Sequence, residues 1–128
     1  MPLIQGFRDL RVYQLARKSS HKIFQITMCF PKEERYALIS QMRRSSRAVN
    51  AMLAEAWARR YYIAAFTNKV DEALGEAMET QAWLDHAFDC KYINVKQFAE
   101  LDKSWQQIGG MLRRMIDKAS YFCPTSKS

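Results

Sequence analysis

Apolar residues recur at steps of three and four positions along most of the chain, which is the period of an amphipathic α-helix. The pattern divides into four long segments separated by short joins. The predicted helices span residues 9–28, 32–60, 62–88 and 95–122, followed by a short disordered C-terminal tail. Helices joined by short connections pack antiparallel to their neighbours. The pattern therefore predicts an all-α fold, an up-down-up-down antiparallel four-helix bundle formed as one domain by residues 1–128.

Capping and stop signals mark several of these boundaries. Asp9 is predicted to cap the first helix, because its carboxylate can accept hydrogen bonds from the amides of the first turn. Pro31 ends the first helix and lies near the start of the second. Asn94 and Gln97 form a variant of the capping box at the start of the fourth. The buried stripe of the third helix is predicted to comprise Ile63, Phe66, Val70, Leu74, Ala77, Gln81, Leu84 and Phe88.

Length and composition fit this architecture and exclude several others. The 128 residues amount to one domain, with 48% hydrophobic and 26% charged residues, as in an ordinary globular protein. Only 4 Gly and 3 Pro are present, too few for the frequent turns of a β-sandwich or barrel. No apolar run approaches the roughly 18 residues of a membrane span, and the N-terminus has no apolar signal core. We therefore expect a cytoplasmic protein without membrane association.

A search for catalytic chemistry is mostly negative. The chain has no phosphate loop, dinucleotide fingerprint, nucleophile elbow or zinc-protease motif. Its 3 cysteines and 2 histidines match no metal or redox spacing, so neither a metal site nor a cofactor is expected. The protein is accordingly predicted not to be an enzyme.

Two carboxylates lie close to the predicted apolar stripes. Glu55 stands between two alanines, and Glu79 follows the small residue Ala77 by two positions. A carboxylate near a core must find a partner or stay protonated, and Gln41 is one possible partner. We interpret Gln41, Glu55 and Glu79 as structural polar residues that fix the register of the helices. A catalytic pair of Glu55 and Glu79 is the alternative interpretation.

The net charge of +7 is distributed unevenly along the chain. Residues 1–60 carry +8, residues 61–90 carry −5 and residues 91–128 carry +4. Such polarity favours a polyanionic partner, helices of opposite charge that lie side by side, or both.

The clustering of basic residues is the strongest functional signal. Like charges one helical turn apart destabilise a helix slightly, so their clustering needs a reason, and a phosphate backbone is one. The alternatives are a solvated face or pairing with the acidic third helix. The candidate nucleic-acid contacts are Arg17, Lys18, Lys22, Arg43, Arg44, Arg47, Arg59, Arg60, Arg113 and Arg114.

Three aromatic residues do not all fit the buried stripe of the third helix. They are Tyr61, Tyr62 and Trp83. A bundle leaves such residues outside its core when something else covers them. We predict that they form an oligomer interface, and bases that stack on them are the rarer alternative.

The order and spacing of several short motifs resemble one known family. The motifs are Phe7-Arg8-Asp9-Leu10, Phe30-Pro31-Lys32-Glu33-Glu34-Arg35-Tyr36-Ala37-Leu38, Gln41-Met42-Arg43-Arg44, Ala54-Glu55, Ala73-Leu74-Gly75-Glu76, Glu79-Thr80-Gln81 and Tyr92-Ile93. Together they resemble the bacterial four-helix-bundle proteins encoded in 23S rRNA intervening sequences, over residues 7–122. One departure lies in the second helix. The family usually reads Asn-Ile-Ala-Glu-Gly where this chain reads Met52-Leu53-Ala54-Glu55-Ala56.

The resemblance implies a four-helix bundle that assembles into a homo-oligomer, with a pentamer as the precedent. It extends to the accessory variability proteins of diversity-generating retroelements, which are basic pentameric bundles that bind nucleic acid and a reverse transcriptase. The expected function is that of a non-enzymatic, oligomeric accessory protein that binds nucleic acid, with RNA or an RNA–protein complex expected as the target rather than DNA. The alternative is an adaptor that docks a partner such as a reverse transcriptase and has no nucleic-acid affinity of its own.

Overall fold

The computed structural model describes residues 3–124, and this part of the chain forms four long α-helices and no β-strand. The helices are α1 (Arg11–Thr27), α2 (Leu38–Ala58), α3 (Ile63–Asp89), α4 (Val95–Asp117) and the single-turn α5 (Ala119–Phe122). Short 3-10 helices at Phe7–Asp9 and Lys32–Glu34 precede α1 and α2. The predicted all-α class is confirmed. Most of the predicted C-terminal tail, residues 125–128, lies outside the described residues.

Contacts between neighbouring helices show that each helix runs back along the one before it. In every pair, residue numbers on one helix rise as those of their partners on the other fall. The contacting pairs are Tyr13–Asn50 and Thr27–Arg43, Glu55–Lys69 and Arg44–Glu76, and Gln81–Asp102 and Phe88–Phe98. Helix α1 also packs against α4, which closes the ring of four. The predicted antiparallel up-down-up-down four-helix bundle is confirmed.

The core lies along the axis of the bundle and receives large apolar side chains from all four long helices. Fully buried examples are Ile23 from α1, Met42 and Leu53 from α2, Phe66 and Leu84 from α3, and Trp105 and Leu112 from α4. Burial of each such side chain is worth about 1.5–3 kcal/mol relative to exposure. The apolar stripes thereby fix which faces of the helices turn outward, and so where the charged residues lie.

The N-terminus of α1 differs from the prediction. Asp9 does not cap this helix, because its carboxylate accepts hydrogen bonds from the backbone amides of Gln5 (2.9 Å) and Gly6 (3.1 Å). It therefore closes the 3-10 turn that precedes α1. The extended residue Leu10 is the N-cap, without a side-chain hydrogen bond.

Helix α2 begins six residues later than predicted. A 3-10 turn follows Pro31, and the backbone of Ala37 (φ −121°, ψ −104°) separates this turn from α2. The chain around Tyr36 is exposed, whereas Leu38 and Ile39 are the first residues after the turn to enter the core. Most of the stability of a helix in a protein comes from tertiary packing, so α2 begins where its side chains become buried. The helix-start signals before Leu38 are insufficient to begin the helix earlier.

The later helices follow the prediction more closely. The capping box of α4 is confirmed: Asn94 Oδ1 accepts from the backbone amide of Gln97 at 2.8 Å, and Gln97 Oε1 accepts from the backbone amide of Asn94 at 2.9 Å. In α3, Ala87 is buried in place of Phe88, Thr80 is buried in place of Gln81, and Ile63 is half exposed, so the predicted stripe is wrong at these three positions. A break at Lys118 separates α5 from α4.

Candidate nucleic-acid interface

An open groove between α1 and α2 gathers basic side chains around one phenylalanine ring. Its α1 side presents residues three and four positions apart, which lie on one face of a helix. We call this surface the basic groove. It is lined by Gln14, Arg17, Lys18, Ser20, His21, Phe24 and Arg47, and Arg43 borders it from α2.

The Phe24 ring organises the basic groove. The Cζ atom of Arg43 lies 4.6 Å from the centroid of this ring and that of Arg47 lies 5.5 Å from it. The His21 ring stacks on Phe24 with a centroid separation of 6.0 Å. Guanidinium groups over an aromatic face gain cation–π energy while keeping N–H donors for other partners. The ring thus holds two cations in place at the surface.

A hydrogen bond fixes Arg43 from beneath. Its Nε donates to Oγ1 of the buried Thr27 at 2.9 Å, and the Thr27 hydroxyl donates in turn to the Ile23 carbonyl at 2.8 Å. Only one of the five guanidinium N–H donors is used in this contact. Arg43 is therefore positioned by the bundle itself and retains donors for a ligand.

The charge of the basic groove is not neutralised within the described part of the chain. Across residues 3–124, no carboxylate lies within ion-pair distance of Arg17, Lys18, Arg43 or Arg47. Helix α1 contains no acidic residue, and α2 contains only Glu55. Uncompensated cations in a cleft concentrate positive potential there.

Arg44 has a different environment from Arg43. Its Nη1 and Nη2 donate to the two carboxylate oxygens of Glu76 at 3.2 and 3.0 Å, and Nη2 also donates to Glu79. The hydrogen bond to Glu76, reinforced by Glu79, raises the pKa of Arg44. The prediction of Arg44 as a phosphate contact is therefore corrected: this residue pairs with the acidic third helix, as the alternative interpretation expected.

Of the three candidate structural polar residues, Glu79 and Gln41 both contact Arg44, and Glu55 lies elsewhere. Glu79 accepts from Arg44 and from Trp83 Nε1 at 3.1 Å. Gln41 is exposed, and its Oε1 accepts from Arg44 Nε at the long distance of 3.5 Å. The expected position of Glu55 near the core is wrong, because its side chain is 49% exposed and its partner, Lys69, lies 3.9 Å away.

Glu55 and Glu79 do not share a site. Their partners Lys69 and Arg44 lie on different helices, and Glu55 is separated from Arg44 by eleven positions of α2, or about 16 Å. Glu55 and Glu79 are therefore not placed as a pair for general acid and base chemistry. The residues described by the structure also contain no group of three or more His, Cys, Asp or Glu side chains able to hold a metal ion.

Another group of predicted basic residues lies at the end of the bundle where α2 and α4 finish. Arg60 Nη1 donates to the Trp57 carbonyl at 3.0 Å, and its Cζ lies 4.3 Å from the Trp57 ring. Arg59, Arg113 and Arg114 are exposed at this end. Lys22 is also exposed, on α1, one turn beyond Lys18 and outside the groove lining. The structure thus divides the candidate contacts into two main groups.

The three aromatic residues of the predicted oligomer interface lie in two different environments. Tyr61 and Tyr62 are 62% and 74% exposed at the join between α2 and α3. Trp83 is half-buried, packs against the core and donates to Glu79, so the premise that it lies outside the bundle's own packing is wrong. Assembly through these residues stays a prediction.

Sequence reasoning missed the contributions of Phe24, Thr27 and His21 to the groove. The three- and four-residue periodicity of the first helix predicts only that Phe24 and Thr27 belong to its apolar stripe. The available signal was their spacing from Arg17, since 17, 21 and 24 lie on one helical face. That spacing does not reveal which part of α2 lies opposite, so Arg43 and Arg47 could not be placed beside Phe24.

Comparisons with known proteins agree with this architecture. A crystal structure of a protein of unknown function from the S23 ribosomal protein family of Bacteroides thetaiotaomicron is similar, with a TM-score of 0.75 and 24% identity. The similarity covers 84% of this chain and 96% of that one. No curated protein sequence matches the chain. In the described part of the chain, no helix is both long and apolar enough to cross a membrane.

The family assignment comes from the sequence itself. Residues 8–114 match the family described as 23S rRNA-intervening sequence protein. The match runs from the 3-10 turn before α1 to the last turns of α4, so it includes both sides of the basic groove. The chain therefore belongs to the 23S rRNA-intervening sequence protein family.

Proposed function

We propose that this protein binds nucleic acid, RNA in preference to DNA, through the basic groove and without catalysing a reaction. The observation that carries the proposal is the arrangement of Arg43 and Arg47 over Phe24, with no carboxylate partner among residues 3–124. Preorganised guanidinium groups suit phosphate oxygens, which accept their N–H donors in a planar, charge-assisted contact.

The contrast with Arg44 supports a ligand for the groove. Carboxylates of α3 neutralise one arginine of α2, because Glu76 and Glu79 both pair with Arg44. On the α1 side, the charged residues that line the groove beside the same helix are Arg17 and Lys18, and both are basic. Repulsion among these groups costs stability in the free protein, and a polyanion relieves it.

The preference for RNA draws on the family, whose name refers to 23S rRNA. The charged donors of the groove are arginine and lysine side chains at an open surface, so we expect binding to depend mainly on phosphates and to have little sequence specificity. Such binding weakens steeply as salt rises, because each neutralised phosphate releases counterions.

Two further parts of the proposal concern assembly and partners. We expect a homo-oligomer, a pentamer by the family resemblance, which would repeat the groove around a ring and broaden its positive field. Light scattering tests assembly against the chain mass of 15.0 kDa. The adaptor alternative replaces nucleic acid with a protein partner such as a reverse transcriptase and predicts no RNA or DNA affinity at physiological salt.

The test is fluorescence anisotropy with RNA and DNA strands of the same sequence at low and at physiological salt. The proposal expects saturable binding that is tighter for RNA and that weakens as salt is added. Binding to neither strand at low salt would contradict the proposal and favour the adaptor. Equal binding to both strands would remove the preference for RNA and leave the nucleic-acid groove in place.

A further inference from the structure

We propose that the corner between α2 and α3 is a stacking platform for single-stranded nucleic acid, through which the protein distinguishes single strands from duplexes. The stacking corner consists of Trp57, Arg60, Tyr61 and Tyr62. The proposal rests on the nucleic-acid binding proposed above and adds the class of strand that is bound.

The corner exposes an unusual amount of aromatic and apolar surface. Tyr61 is 62% exposed, Tyr62 is 74% exposed, and Ile63 directly after them is 51% exposed. Single exposed apolar residues are common on protein surfaces, but three large ones in succession mark a surface that a partner covers. Tyr61 lies in the short turn between α2 and α3, and Tyr62 is the N-cap residue of α3, so both rings stand directly before a long, packed helix.

A cation is built into the same corner. The Arg60 guanidinium lies 4.3 Å from the Trp57 ring and 5.0 Å from the Tyr61 ring, and Nη1 donates to the Trp57 carbonyl. These contacts hold the positive charge beside the exposed tyrosines while leaving other N–H donors unused. Arg59, immediately before it, is exposed.

Nothing acidic in the described first turns of α3 offsets this charge. The first carboxylate of α3 is Asp71, eight positions after Ile63 and therefore about 12 Å along the helix. The N-terminus of α3 has no side-chain cap, so its backbone amides add to the positive potential at the corner.

This combination favours single-stranded nucleic acid over the other candidates. Every unpaired base presents a π-face that stacks on tyrosine, whereas a duplex hides those faces. A protein partner that covered the corner would bury Arg60, and burial of an unpaired cation is costly, so it would need a matching carboxylate. A nucleic-acid strand brings a phosphate with each base.

The corner and the basic groove can serve one strand. Arg47 and Arg60 are thirteen positions apart, so the two surfaces are about 20 Å apart along α2. Strands of about 12 nucleotides fall within the range of site sizes known for single-strand binding folds, which makes that length suitable as a probe.

The experiment compares an RNA strand of about 12 nucleotides with the same strand annealed to its complement, by anisotropy at low salt. The double variant Tyr61→Leu/Tyr62→Leu keeps apolar side chains and removes both rings. The variant Tyr61→Phe/Tyr62→Phe keeps the rings. Tyr36→Leu is the matched control, because Tyr36 is 89% exposed, follows an arginine and lies at the opposite end of the bundle.

We expect the wild type to bind the single strand more tightly than the duplex. The leucine variant should lose about fivefold or more in single-strand affinity and keep its duplex affinity, whereas the phenylalanine variant and Tyr36→Leu should keep both affinities. Unchanged single-strand affinity in the leucine variant would overturn the platform and leave the groove intact. No RNA binding by the wild type would overturn both proposals.

Light scattering of the same variants separates the platform from the predicted oligomer interface. The platform requires that the leucine variant keep the assembly state of the wild type while its single-strand affinity falls. Dissociation of an assembly in the leucine variant would identify the corner as a subunit contact and overturn the platform.

Discussion

Arg43 and Arg44 are adjacent in the chain, yet their guanidinium groups contact different helices. Arg43 lies over Phe24 and donates to Thr27 on α1, while Arg44 forms ion pairs with α3. Successive residues of an α-helix point about 100° apart, so one residue faces each neighbour of α2. On the side of α2 that faces α3, carboxylates therefore neutralise the arginine charge. On the side that faces α1, no carboxylate among the described residues pairs with Arg43.

The first prediction concerns the stability of the paired side. Arg44→Gln should lower the free energy of unfolding by about 1 kcal/mol, because a bidentate pair within a three-residue network is lost at a half-exposed site. Glu55→Gln is the matched variant, since the Glu55 pair is long and exposed, and it should change stability by less than about 0.5 kcal/mol. Urea unfolding measures both, and a larger loss for Glu55→Gln would contradict the assignment.

The second prediction concerns the alkaline behaviour of Tyr92 in the join between α3 and α4. Its hydroxyl donates to Glu34 Oε2 at 2.9 Å, and this hydrogen bond, followed by burial, raises the pKa of Tyr92 from 10.0 to about 12. The neutral hydroxyl is thus the form that the fold favours. Its stabilising effect is fully present below pH 10.0 and is lost as the pH rises towards about 12.

Tyr92→Phe tests this linkage. Between pH 10.0 and about 12 the unfolded chain has lost the Tyr92 proton while the folded protein still holds it, so wild-type stability should fall with pH. The phenylalanine variant lacks this contribution and should show a shallower fall in the same unfolding series. Parallel curves for the two proteins would show that the Glu34 contact does not persist in solution.

The third prediction concerns Gly110 in α4. A Cβ added at Gly110 would meet only Arg114 Nη1, at 4.0 Å, so Gly110→Ala should stabilise the helix by about 1 kcal/mol. Gly75→Ala in α3 is the matched variant, because nothing lies within 4 Å of its added Cβ. Thermal unfolding measures both. Destabilisation by Gly110→Ala would mean that another molecule packs against this face of α4.

The fold was predictable because its determinants are local and periodic. The Asn94–Gln97 capping box is readable from spacing alone and appears as predicted. The buried residues of α4 from Leu101 to Met115 follow each other at steps of three and four, which is the helical period seen along the chain. The start of α2 was not predictable from such signals, because it depends on where the chain first enters the core, at Leu38.

The candidate site was only partly predictable. Sequence identifies Arg43, Arg44 and Arg47 as a cluster, but which of them is neutralised depends on the register between α2 and α3. The contribution of Phe24 depends likewise on the register between α1 and α2. Pairing across helices is a tertiary property, so spacing within one helix cannot supply it.

The most direct test of the account is the salt dependence of RNA binding by Arg43→Gln/Arg47→Gln, measured by anisotropy beside Arg44→Gln and the wild type. The groove predicts weaker binding by the double variant and a salt slope reduced by up to about 1.4, since each phosphate contact to a single strand contributes about 0.7. Arg44→Gln, confirmed as folded by circular dichroism, should keep the wild-type slope. An unchanged slope in the double variant, or an equal loss in Arg44→Gln, would contradict the assignment of the basic groove.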